Sequence, residues 1–164
     1  TDTVTGTLIT RYGLRRYNDS FAERNTNFFT VGPRVDYRAL DWLTLTLTYL
    51  YERGLADGHK DTQFADDVSY YLHMVSAGTE VRINRQWDLG LTYIHRRKTF
   101  TSGLAGDTHV GRFDATHQGI AELRYHMSAA ATVMLSFQYG KRTSTNALRD
   151  FQDSILSIGG QYRF

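Results

Sequence analysis

Histidines, carboxylates and arginines are the main residues of this chain that could ligate a metal or bind an anion, and the sequence contains no cysteine. The absence of cysteine excludes disulfides, thiolate metal sites and thiol nucleophiles. Histidine and carboxylate together can ligate a divalent metal, and both types gather in the polar segments at His59, His109, His117, Asp57, Asp61, Asp66, Asp67, Asp107 and Asp114. Their spacing forms no compact ligand motif. We therefore expect polar loops there, with no metal site and no other cofactor.

Arginine dominates the basic residues, since only Lys60, Lys98 and Lys141 are lysines. The formal net charge of +2 is too small to indicate a nucleic-acid partner. Arginine bridges carboxylates and phosphates through several hydrogen bonds at once. Whether these arginines form ion pairs or an anion-favouring surface therefore depends on the secondary-structure elements that position them.

Apolar and polar residues alternate with a period of two along about eight segments, most clearly in residues 43–49, Leu-Thr-Leu-Thr-Leu-Thr-Tyr. This is the period of a β-strand, and no window shows a helical stripe. The other predicted strands lie near 3–17, 27–39, 69–83, 88–98, 121–127, 132–139 and 156–164. Pro33 falls inside one of them, where it predicts a bulge or weakened pairing.

The connections between these strands alternate between short and long. Short ones lie at 40–42, 84–88 and 127–129, and long polar ones near 18–26, 54–67, 99–117 and 143–153. This order is typical of an outer-membrane barrel with brief periplasmic turns and extended outer loops. No run of about 18 apolar residues exists that would form a helical span. We expect an all-β fold, an antiparallel up-and-down transmembrane β-barrel of about eight strands, as a single domain over residues 1–164 in the bacterial outer membrane.

The last residues, Ser-Ile-Gly-Gly-Gln-Tyr-Arg-Phe at 157–164, resemble the C-terminal strand of bacterial outer-membrane proteins. The resemblance implies that the barrel-assembly machinery recognises Tyr162 and Phe164, and that outer-membrane lipid and lipopolysaccharide surround the chain. Residues 3–6 are similar to the opening of small eight-stranded barrels. Residues 47–53 and 91–97 are similar to each other, as repeated hairpins are in porins and in the sheaths around electron-transfer cytochromes. The chain is thus expected to be a small barrel or the C-terminal portion of a larger one within a larger membrane complex.

Charged residues of the strands share one alternating phase, which must face inward because an arginine facing lipid costs roughly 2–4 kcal/mol at mid-membrane. The predicted inward residues are Arg11, Arg15, Arg34, Asp36, Arg38, Glu52, Glu80, Arg82, Arg96, Glu122, Arg124, Arg142 and Arg163. In a closed eight-stranded barrel they would fill the lumen as ion pairs, leaving a structural or surface-binding role. In a wider barrel they would line an anion-favouring passage. Pairing of residues 3–15 with 154–164 distinguishes the two.

Aromatic residues at the strand ends predict interfacial belts. These are Trp42 and Trp87 beside the short turns, and Tyr12, Tyr49, Tyr51, Tyr71 and Tyr93 towards the long loops. Cations near the same loops are either solvated or placed to contact lipopolysaccharide phosphates, namely Arg16, Arg53, Arg97, Lys98 and Lys141.

Catalysis is the weakest of the functional hypotheses. His126 and Ser128 resemble the His-x-Ser of a lipid A deacylase, but they lie at a predicted periplasmic turn rather than near the outer leaflet. His126 also shares the inward phase of Glu122 and Arg124, which suits a hydrogen-bonded histidine inside the barrel. We predict no catalytic residue, and an outer-membrane hydrolase is kept only as a remote alternative.

Overall fold

The computed structural model describes residues 3–59 and 66–163, and it arranges them as a single antiparallel sheet of eight strands in chain order. The strands are β1 (Val4–Arg15), β2 (Thr26–Leu40), β3 (Leu43–Ala56), β4 (Tyr70–Arg82), β5 (Trp87–Phe100), β6 (Phe113–His126), β7 (Ala131–Ser144) and β8 (Phe151–Tyr162). Short 3-10 helices lie between β1 and β2 (Asp19–Arg24) and between β7 and β8 (Ala147–Arg149). No helix within the described ranges is long and apolar enough to cross a membrane. The predicted all-β, up-and-down order of eight strands is confirmed.

The two faces of the sheet differ in chemistry because the residue alternation runs in register from strand to strand. Leu47 pairs with Val35 and Ala77, whereas Thr48 pairs with Arg34 and Ser76. Continued across all eight strands, this register places the thirteen predicted inward residues on one face, which we call the charged face. The opposite face carries most of the leucines, valines and tyrosines, and we call it the apolar face.

The sheet curves around its charged face. Charged-face residues such as Thr30 and Glu52 are each only 3% exposed, whereas apolar-face residues such as Leu47 (56%) and Ile158 (79%) are open to their surroundings. Side chains crowd on the inside of a curved sheet and spread apart on its outside, so this difference gives the direction of curvature.

Long and short connections alternate as predicted, so one end of the sheet carries four loops (the loop end) and the other carries three turns (the turn end). Some predicted boundaries were wrong. Residues 113–117 belong to β6 rather than to a loop, because they find ladder partners on both sides, such as Arg97 and Thr143 for Ala115. Strand β3 likewise continues to Ala56.

Pro33 weakens pairing without shifting the register. Gly32 and Pro33 lack Cα partners in β3, but the register on either side of them is the same, and the only irregularity in this pair of strands lies between Arg38 and Leu40. A Cβ added to Gly32 would lie 1.9 Å from the Tyr49 carbonyl oxygen. Glycine is therefore required where the β3 backbone approaches β2 this closely.

The sheet is not closed. In the part of the chain that the structure describes, β1 pairs only with β2 and β8 pairs only with β7. The pairing of residues 3–15 with 154–164 expected of a complete eight-stranded barrel is not observed, so both edge strands keep an unpaired side.

Candidate functional site

Towards the turn end, the charges of the charged face are largely paired. Arg124 contacts both Glu122 (2.7 Å) and Glu80 (3.2 Å). This double contact is possible because the intervening β5 position, between Glu80 and Glu122, is Gly90, which has no side chain to fill the gap. Arg34 donates to Asp36 at 2.8 Å, and a cleft of about 430 Å³ runs between these two clusters.

His126 lies beside these pairs on the same face, as predicted. Its Nε2 is 2.8 Å from an Asp88 carboxylate oxygen and its Nδ1 is 3.0 Å from Thr132 Oγ1. Ser128 is engaged separately, since its Oγ accepts the backbone N–H groups of Ala130 and Ala131. The histidine and the serine therefore each have their own partners at this turn.

Glu52 is the most enclosed carboxylate of the predicted set. It accepts hydrogen bonds from Arg11 (2.9 Å), Thr30 Oγ1 (2.7 Å) and the Tyr70 hydroxyl (2.6 Å). These partners come from β1, β2 and β4, so a single carboxylate links four strands. Buried carboxylates need such partners because their desolvation is costly.

The loop end of the charged face holds cations that have no carboxylate within ion-pair distance among the described residues. Lys98, absent from the predicted inward set, lies here: its Nζ is 3.8 Å from the centre of the Tyr70 ring. Arg142 stacks on Phe151 at 5.0 Å, and its Nε donates to the Arg149 carbonyl oxygen. Arg96 donates to the Gln118 amide oxygen instead of to an acid. The charge of this face is thus balanced near the turns and positive near the loops.

Three carboxylates of the charged face were missed by sequence reasoning, namely Asp88, Asp114 and Asp153. Asp88 could have been found, since it shares the phase of Arg96 in the same predicted strand. Asp114 and Asp153 were assigned to loops, where no phase applies. The excess of arginine over acid on this face is therefore smaller than the sequence suggested.

Three of the long loops are joined by a network that we call the loop clasp, formed by Arg24, His59, Asp66, Asp67, Ser69, Ser102, Asp107 and His109. The Asp67 backbone N–H donates to Asp107 Oδ2 at 2.9 Å, which connects the β3–β4 loop to the β5–β6 loop. His109 Nδ1 lies 2.9 Å from both Asp66 and Asp107. Arg24, from the β1–β2 loop, forms an ion pair with Asp66.

The clasp stabilises the ionised form of its two most buried carboxyls. Burial alone would raise the pKa of Asp67, but hydrogen bonds from Ser69 and His59 outweigh it and hold that pKa below its usual value. Burial likewise opposes ionisation of Asp107, and hydrogen bonds from Ser102, the Asp67 backbone and His109 lower its pKa overall.

The clasp also brings Asp66, Asp107 and His109 together, with one ligand atom of each within 4.8 Å of the others. All three were among the possible metal ligands in the sequence, but their grouping could not be predicted because Asp66 and Asp107 are far apart in the chain. Their ligand atoms are already occupied: His109 Nδ1 lies between the two carboxylates, and Asp107 Oδ1 also accepts the His109 backbone N–H. The geometry is that of a hydrogen-bonded contact between loops.

The predicted belt aromatics lie on the apolar face or beside it. Trp87 packs on Tyr125 at 4.6 Å next to the β4–β5 turn, and Trp42 occupies the β2–β3 turn. Tyr12, Tyr51 and Tyr71 lie towards the loop end, whereas Tyr49 and Tyr93 are at mid-strand and not at the predicted strand ends. Histidines join them: Tyr49 Oη is 2.8 Å from His73 Nδ1, and Tyr93 Oη is 2.6 Å from His117 Nδ1. His117 was predicted in a loop and instead belongs to this band.

Of the five predicted rim cations, Arg16 follows the end of β1, and the other four lie in strands on either face. Arg53, Arg97 and Lys141 are at apolar-face positions near the loops, while Lys98 is on the charged face. Lys98 was missing from the predicted inward residues, although its strand position shares the phase of Arg96. Of the predicted assembly signal, Tyr162 ends β8 and Phe164 lies outside the described residues.

No family model matches the chain, and no curated protein or solved structure is significantly similar to it. The features that bear on function are those of the sheet itself: one apolar face, one charged face and, in the described residues, two unpaired edges.

Proposed function

We propose that the chain forms a sector of the wall of a bacterial outer-membrane β-barrel with more than eight strands, whose charged face lines a water-filled passage. The observation that carries this proposal is the combination of an outward apolar face with two unpaired edge strands. The long loops would lie outside the cell and the short turns in the periplasm, as in other barrels of this kind. We assign no catalytic role to the chain.

Lipid is the environment that suits the apolar face. Leu156 (71% exposed) and many other large apolar residues of this face are exposed, and monomeric soluble proteins rarely expose continuous apolar areas of this kind. The strands have 12 to 15 residues, whereas a tilted membrane strand needs about 9–11. The surplus lies at the loop end, where Arg53, Arg97 and Lys141 would reach lipopolysaccharide phosphates.

The open edges favour a barrel wider than eight strands. An unpaired strand edge leaves backbone N–H and C=O groups without partners, which hydrocarbon does not tolerate. Further strands must therefore cover β1 and β8 in the membrane. The passage enclosed by such a barrel would carry solutes or hold a partner protein, and its loop end would favour anions because the unpaired cations are there.

The edge strands can be tested by cross-linking in outer-membrane vesicles, because single cysteines can be placed in a chain that has none. Cysteine pairs at Leu8 in β1 and at Leu156 or Ile158 in β8 are treated with a short bismaleimide. The control pair replaces Thr79 and Leu91, which are Cα partners in β4 and β5. We expect an intrachain cross-link for the control and none for the edge pairs. Intrachain cross-linking of β1 to β8 would show a closed eight-stranded barrel and overturn the wider passage.

A further inference from the structure

The loop end of the charged face contains a cavity of about 300 Å³ whose lining is strongly cationic. Its charged side chains are six cations and one carboxylate: Arg15, Arg24, Lys98, Arg112, Arg142, Arg149 and Asp114. The whole chain has a net charge of only +2. With six cations and one carboxylate, the lining therefore has a formal charge of +5, larger than that of the whole chain.

Two of the six cations are neutralised by carboxylates. Arg112 contacts Asp114 at 2.7 Å through a two-pronged hydrogen bond, and Arg24 is paired with Asp66 of the loop clasp. The other four, Arg15, Lys98, Arg142 and Arg149, have no carboxylate within ion-pair distance among residues 3–59 and 66–163. The cavity thus has unused positive charge that an anion would balance.

The unpaired cations are held in place by uncharged groups. Lys98 Nζ lies over the rings of Tyr70 (3.8 Å) and Phe100 (4.5 Å). Arg142 is held by the Phe151 ring and by the Arg149 carbonyl oxygen. Aromatic faces and a single carbonyl leave most N–H donors of these groups unused. A ligand that accepts several hydrogen bonds would find the donors already positioned, which lowers the cost of binding.

We propose that this cavity is a binding site for a phosphate-class oxyanion, as inorganic phosphate or as the phosphate group of a small solute. Several arginines around one site suit a multiply charged anion with three or more acceptor oxygens, and the volume is at the lower end of the range for small-molecule pockets. The inference deepens the proposed passage, since it names a ligand class at its outer mouth. The cavity opens on the charged face, so its ligand arrives from water rather than from lipid.

The test uses isothermal titration of the full chain in detergent micelles with inorganic phosphate, compared with Lys98→Gln and Arg142→Gln. The control is Arg97→Gln, which removes a cation next to Lys98 but on the apolar face, where Arg97 stacks on Phe113. We expect the Kd for phosphate to rise at least about tenfold in each cavity variant, as for loss of one charge-assisted hydrogen bond, and to stay unchanged in the control. Arg149→Gln, in an exposed loop, is a second cavity variant should either of the first two fail to fold.

Three outcomes would overturn the proposal. One is no phosphate binding by the unaltered chain at low millimolar concentration, and another is equal weakening in Arg97→Gln, which would show a general charge effect. The third is that phosphatidic acid in mixed micelles binds with the same dependence on Lys98 while inorganic phosphate does not bind. That result would make a lipid headgroup the ligand. Phosphate binding with the predicted variant pattern would stand even if the edge cross-links showed a closed barrel, so the two proposals fail separately.

Discussion

At the scale of single residues, burial and the number of partners decide which charges matter for stability. Glu52 is almost fully enclosed and has three donors, whereas the side chain of Glu80 is 51% exposed and has one. Alternation in the sequence predicts that both side chains face inward, but it does not indicate which of them contributes more to stability. Their ranking depends on the curvature of the sheet and on the positions of Thr30 and Tyr70, which are not local properties of the sequence.

Glu52→Ala should therefore destabilise the folded chain by about 1–3 kcal/mol, the cost of leaving Thr30 and Tyr70 without their acceptor. The loss should stay below that of a fully buried ion pair, because the Arg11 side chain is 61% exposed and water can solvate it. Glu80→Ala should cost less than about 1 kcal/mol. Urea unfolding followed by tryptophan fluorescence measures both, and an equal loss in the two variants would contradict this ranking.

Gly32 provides a second test at this scale. A methyl group there would meet the Tyr49 carbonyl at 1.9 Å, whereas at Gly6 it would meet nothing within 4 Å. Gly32→Ala should thus separate β2 from β3 and destabilise the sheet by at least about 1–3 kcal/mol. Gly6→Ala should be neutral in the same unfolding experiment. Comparable stability of the two variants would show that β2 and β3 do not approach as closely as described.

At the scale of elements, the two faces of each strand determine what surrounds it. Leu47→Arg places a charge on the apolar face, whereas Ser76→Arg places one beside the cleft of the charged face. In lipid vesicles, Leu47→Arg should reduce the free energy of folding by roughly 2–4 kcal/mol, and Ser76→Arg should have a much smaller effect. Equal effects would mean that the apolar face does not contact hydrocarbon.

The loop clasp gives an element-scale prediction for pH. Asp67 and Asp107 have lower pKa values in the folded chain than in the unfolded chain. Their contribution to stability is therefore complete above the pKa of an unfolded carboxyl, about 4. It is lost as the pH falls through their pKa values in the folded chain. Protease cleavage within 101–112 should remain slow from neutral pH down to about 4 and become rapid only below it. Asp107→Asn should make this loop cleavable at neutral pH. Cleavage that already accelerates well above pH 4 would contradict this prediction.

The strands could be predicted from the sequence because alternation with a period of two is a local signal. The order of long and short connections could also be predicted, because the polar segments between the alternating stretches are visible locally in the sequence. The loop clasp could not be predicted, since Asp67 and Asp107 are brought together only by the folded loops. Strand ends were misjudged where polar residues such as Asp114 and His117 continue a ladder, because pairing with neighbouring strands outweighs their composition.

At the scale of the whole molecule, the open edges of the sheet and the uneven distribution of charge between its two ends could not be predicted from the sequence. Ring closure depends on how many strands share the barrel, and a pattern within each strand carries no information about their number. Unpaired cations gather at the loop end because the register of the strands places most carboxylates beside arginines nearer the turn end. The proposed wall of a barrel requires that the sheet spans lipid with its apolar face outward.

Accessibility of spin labels along β3 tests that claim most directly. Single cysteines at residues 43–51 can be labelled in the cysteine-free chain and measured in lipid bilayers with oxygen and with an aqueous nickel complex. The account predicts an alternation with a period of two: oxygen reaches Leu45, Leu47 and Tyr49, and nickel reaches Thr44, Thr46 and Thr48. Nickel access to both sets, or accessibility without this period, would contradict it.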